Sequence, residues 1–196
     1  MTIRLLLCGL FALPAVVLAD ASEGQFMGYE LGTKYSALPQ DVEVLTTGNL
    51  LFEAENPTKP ADIVQVSVIT TPGSQTIGYI IAASWYETEE EAREAGRRYA
   101  ELLRAKYADW YFGREVMDAS MRIVEVNFDK APYNLRLRLV RDEYESHRMW
   151  RFSMGLGWGR ESRESHAWQD QSAAEHAAAR SSEDEQLMEE ADIRGL

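Results

Sequence analysis

Leu135, Leu137 and Leu139 alternate with Arg136 and Arg138 in the stretch "LRLRLV". A period of two places the leucines on one face of an extended strand and the arginines on the other. Such a strand cannot be dry on both sides, because each guanidinium would lose its hydration without a partner. It belongs in an antiparallel sheet with one face packed and the other wet. The same pattern recurs on either side. "MRIVEVNF" sets Val124, Val126 and Phe128 on one face, and "DKAPYN" follows as a turn. "HRMWRFSM" sets Arg148, Trp150, Phe152 and Met154 against His147, Met149 and Arg151. Earlier in the chain, "DIVQVSVIT" divides Ile63, Gln65, Ser67 and Ile69 from Val64, Val66 and Val68. With the turn "TPGS" and the β-branched, aromatic run "TIGYIIAASWY", it reads as a hairpin.

Between these strand groups lies one long helix. Thr88 with Glu91 three residues on is a capping box. Glu89, Glu90 and Glu91 suit the positive end of the helix dipole, and Arg104 and Lys106 the negative end. Ala92, Ala95, Tyr99, Leu102, Leu103 and Trp110 recur at helical spacing. Gly96 interrupts this stripe at a cost of about 1 kcal/mol relative to alanine. "YADWYF" after it could stack a sugar, but reads better as core closing the helix onto the sheet. "NLLFEAENPTKPADIV", with Pro57 and Pro60, reads as a turn-rich connection, and "GLGWGRESRES" as a boundary.

The N-terminus has a separate logic. Arg4 precedes an apolar run from Leu5 to Ala19 that ends Val17-Leu18-Ala19, the pattern of a secretory signal cleaved near Ala19. The run is shorter than the roughly 20 residues needed to span a bilayer. Cys8, the chain's one cysteine, would leave with the signal. Disulfides, thiol catalysis and cysteine-based zinc sites are thereby excluded from the mature chain. Next comes "GQFMGYELG", in which Gly24, Gly28 and Gly32 fall at every fourth position. Gln25, Glu30 and Lys34 rule out a membrane helix, and no G-K-[ST] follows to make a phosphate loop. Period two explains its apolar residues better, so it reads as the first strand, with glycines at its ends or at a bulge.

The organisation expected is a signal over residues 1–19, an α+β domain over 20–160 and an acidic tail over 161–196. The domain is read as an antiparallel sheet of about five or six strands packed on one long helix. The tail carries ten acidic and three basic residues, a net charge of −7. Ser182 with Glu185 could cap a helix there. Its apolar face is thin (Trp168, Leu187, Met188, Ile193), so marginal helix or disorder is expected.

Charge and motif content narrow the function. A formal net charge of −12 is unsuited to nucleic acid or to anionic headgroups. There is no G-x-S-x-G, no H-E-x-x-H and no calcium-loop motif, so no cofactor and no metal site are expected. His147 is the one histidine outside the tail; Asp142, Glu143, Glu145 and Ser153 are near it in sequence. That proximity is expected by chance on an exposed strand face, since a triad is recognised by geometry. The remaining candidate is a small anion-binding surface formed by Arg136, Arg138 and Arg151, suited to a lipid A phosphate, a glycan acid or an acidic partner. Against it stands routine cross-strand pairing with Glu125 and the Glu143/Glu145 face. By elimination the chain reads as an exported, periplasmic or secreted, non-enzymatic binding or envelope-accessory protein. Its partner would be a protein or an envelope component. The alternative is a periplasmic hydrolase using distributed acidic residues or His147.

Overall fold

The fold is taken from a computed structural model. It describes residues 24–36, 38–55, 59–117, 123–144 and 147–193. The signal segment 1–19 and Glu145 lie outside these residues. In chain order the strands before the first helix are β1 (Gln25–Phe26), β2 (Tyr29–Glu30), β3 (Glu43–Val44), β4 (Leu50–Glu53), β5 (Gln65–Thr70) and β6 (Ile77–Tyr86). Helix α1 (Glu89–Lys106) leads to β7 (Tyr111–Met117), β8 (Ile123–Lys130), β9 (Tyr133–Tyr144), β10 (His147–Trp158) and helix α2 (Arg163–Ile193).

β3 to β10 form one antiparallel sheet in the order β3-β4-β5-β6-β10-β9-β8-β7. It consists of two four-stranded meanders joined through their last strands, β6 and β10. The α+β class is as the sequence reads, but the sheet has eight strands rather than five or six. β3 is only two residues long and β4 four, too short for alternation to register. β7 carries register shifts between Phe112 and Glu115 and between Val116 and Met117, which break the period of two.

One face of the sheet packs. Register places Leu139, Phe152 and Ser84 side by side, then Leu137, Met154 and Ala82, then Leu135, Leu156 and Ile80. All nine are buried. Each large apolar side chain so buried contributes roughly 1.5–3 kcal/mol. Helix α1 lies on this face against β10, β9 and β6. Its capping box is complete, with Glu91 N donating to Thr88 Oγ1 at 3.3 Å and Thr88 N to Glu91 Oε2 at 3.2 Å. Ala92, Ala95, Tyr99 and Leu103 of the stripe are buried, whereas Leu102 is exposed, and the Tyr99 ring stacks on Phe152 at 5.4 Å. Tyr99 also donates a hydrogen bond to Asp62 at 2.7 Å, tying the helix to the chain entering β5.

Trp110 is not on the helix, which ends at Lys106. It is nevertheless buried, because Tyr107, Trp110, Tyr133 and Trp158 form a stack with centroid separations of 4.6, 6.1 and 5.4 Å. Tyr111 and Phe112 complete "YADWYF" on the exposed edge strand.

"GQFMGYELG" forms two strands, not one. β1 and β2 pair as a tight hairpin with Phe26 opposite Tyr29. Met27 and Gly28 both take positive φ, 50° and 83°, as a two-residue turn matched to strand twist requires. Phe26, Met27 and Leu31 bury against the core.

The segment 161–196 takes the helical alternative over Arg163–Ile193, and its first half is docked rather than free. Trp168 covers Gly78 and donates from Nε1 to Thr76 O at 3.0 Å. Ser172 donates to Asn49, and His176 lies over Gly48. These contacts are largely polar and rest on the β3–β4 and β5–β6 turns. Residues 177–182 beyond them are exposed.

Candidate functional site

The wet face of the sheet can be written as rows from the strand registers. One row runs Glu125, Arg138, Ser153, Ala83, Gln65. The next runs Asn127, Arg136, Gly155, Ile81, Ser67, Glu53. The third runs Asp129, Asn134, Gly157, Tyr79, Ile69, Leu51. Above them Arg151 lies between Val140 and Trp85. The three arginines singled out in the sequence therefore share one face of two adjacent strands.

Arg138 Nε meets Glu125 Oε2 at 3.1 Å, and Arg136 Nε meets the same carboxylate at 3.6 Å. Arg136 Nε also donates to Asn127 Oδ1 at 3.1 Å, and Asn127 in turn donates to Glu125 at 3.2 Å. Two guanidiniums thus share one carboxylate. Arg151 pairs through Nη1 with Asp142 at 2.8 Å, and its Nε is buried with no hydrogen-bond partner among the described residues. Asp129 lies one row away and accepts from Asn134 at 2.6 Å. The expected partner Glu125 is thus present, Arg151 pairs with Asp142, which shares a strand face with Arg136 and Arg138, and the Glu143 side chain and Glu145 lie outside what the structure describes.

Tyr79 was not picked out by sequence, yet it shapes this face. Its ring lies across Gly155 and Gly157, where any Cβ would overlap it. The two glycines that read as a boundary are instead strand residues kept bare for a tyrosine on the neighbouring strand. Burial pushes the Tyr79 phenol above its ordinary value; Arg136 and Arg138 oppose that rise and Glu125 adds to it. The hydroxyl is therefore a neutral hydrogen-bonding group beside the arginines.

His147 opens β10 and is exposed. Ser153 lies on the same face six residues along, about 20 Å away at the rise of an extended strand. The two cannot share a proton in this fold. Among the described residues, no three histidine, cysteine, aspartate or glutamate side chains converge as a metal site, and no helix is long and apolar enough to cross a membrane.

No protein-family model, curated protein or solved structure matches this chain. The reading of the site rests on its own chemistry.

Proposed function

We propose that the chain is an exported, non-enzymatic binding protein, periplasmic or secreted after cleavage near Ala19, that recognises an anionic group on its wet sheet face. Arg136, Arg138 and Arg151 supply the charge, and the Tyr79 hydroxyl and Ser153 flank it. The observation that carries this reading is that, among the described residues, two guanidiniums share one carboxylate and the buried Arg151 Nε–H has no hydrogen-bond partner. The guanidiniums of these pairs reach solvent, where ion pairs contribute about 0–1 kcal/mol, so an incoming phosphate or carboxylate competes with Glu125 and Asp142 for them. A planar guanidinium offers such an anion two parallel N–H donors.

The test is binding of lipid A vesicles and of an acidic polysaccharide, compared between the parent and the Arg136→Ser, Arg138→Ser double variant. The parent is expected to bind one of the two probes, less tightly as salt rises, and the double variant to lose at least roughly tenfold in affinity. Unchanged binding in the variant removes the arginine face from the function.

A further inference from the structure

A second site lies at the opposite kind of charge, in a part of the chain the arginine face does not include. The β1–β2 hairpin, the segment 33–36 and Glu55 enclose an open cleft of about 500 Å³. The Tyr29 and Tyr35 rings stand side by side along it, 5.8 Å apart and tilted by 31°. Two acidic residues, Glu30 and Glu55, and one basic residue, Lys34, are among those that line it. Each part is held in place. Tyr35 packs edge-on against the buried Phe52 at 4.7 Å. The Tyr29 hydroxyl donates to the Glu55 carbonyl. Gln25 donates to Glu30 at 3.2 Å.

We infer that this cleft is a binding site for a small organic cation, an ammonium carrying apolar substituents, which rests on the Tyr29–Tyr35 wall and is neutralised by Glu30 and Glu55. The π-faces of tyrosine attract a cation within about 6 Å of the ring centroid. A volume of this order suits a small ligand. Burial, then Tyr35 and the Glu55 charge, push the Tyr29 hydroxyl up to about 12, so it is a neutral group in the cleft wall. An anion would meet two carboxylates there. The inference does not depend on the arginine face, and either can fail alone.

The experiment titrates the purified protein with choline chloride and with 3,3-dimethylbutan-1-ol, which has the same shape without the charge, at constant ionic strength. Tyrosine-ring NMR shifts are the readout. Choline is expected to saturate shifts at Tyr29 and Tyr35, and the neutral analogue to bind at least roughly fivefold more weakly. Glu55→Gln should weaken choline binding, and Lys34→Gln should strengthen it, each by roughly threefold. Both residues are exposed, so both variants should fold, as an unchanged circular dichroism spectrum would show. Equal affinity for the charged and neutral probes, no saturable shift at Tyr29 and Tyr35, or indifference to both charge changes would overturn the assignment.

Discussion

The ring of Tyr79 lies on Gly157, its registered partner across the β6–β10 pair, and its hydroxyl reaches over Gly155. The face that presents the arginines is therefore flat beside them only because two alternate positions of β10 lack side chains. A methyl at Gly157 would meet the ring close to its root, and a methyl at Gly155 would meet its free end. Gly157→Ala should cost about 2–3 kcal/mol and Gly155→Ala about 1–2 kcal/mol, as overpacking does. In a Tyr79→Ala background both penalties should shrink, giving a coupling energy of about 1 kcal/mol or more by urea denaturation. Equal penalties with and without the ring would refute the packing argument.

Gly96 behaves differently. A Cβ there would stand 3.6 Å from the Phe152 ring, an ordinary van der Waals separation. Helix α1 does not need the glycine for close approach. Gly96→Ala should stabilise the protein by about 1 kcal/mol, the propensity difference between the two residues in a helix interior. A loss of stability would mean that α1 sits closer to the sheet than described.

The docking of α2 should be sensitive to acid. Burial acts to raise the Glu175 carboxyl, but hydrogen bonds from Ser74 N–H, Gln171, the Ser74 side chain and Gly73 N–H outweigh it and hold the group at about 2, against an ordinary 4.5. The two backbone donors lie at 2.8 and 3.0 Å. A carboxyl held lower in the folded state stabilises above its ordinary value and loses that contribution as pH falls toward its folded one. Amide protection factors (exchange rates relative to the intrinsic rate at each pH) across residues 163–176 should therefore fall between about pH 4.5 and pH 2. Glu175→Gln should show low protection already at neutral pH and no such step. A parent profile as flat as the variant's would exclude Glu175 as the latch.

Much of this architecture is legible in the chain because most strands have one wet face. The alternation in Leu135–Leu139 and in Gln65–Thr70 needs no partner to be read, and neither does the Thr88–Glu91 box. What escapes is set by neighbours in space. Gly155 and Gly157 look like an ending until Tyr79 is placed over them. Leu50–Glu53 looks like a connection until Leu51 is set opposite Ile69 and Phe52 opposite Val68. Among the site residues, Arg136, Arg138 and Arg151 could be found because charges opposite leucines mark a solvated face. Tyr79, and the pairing of Tyr29 with Tyr35 across a turn, carry no local signal, because both depend on which strand lies beside which.

The most direct measurement is an ¹⁵N-resolved NMR titration with inorganic phosphate that follows the arginine Nε–H groups. Phosphate bound at the wet face should shift Arg136, Arg138 and Arg151 together and saturably, with smaller changes at the Tyr79 and Ser153 amides. The shifts should fade as salt rises from about 50 to 300 mM, because screening weakens exposed charge contacts. Shifts spread evenly over all arginines, or none at these three up to about tenfold the phosphate level that saturates a millimolar site, would contradict the assignment of this face as the binding surface.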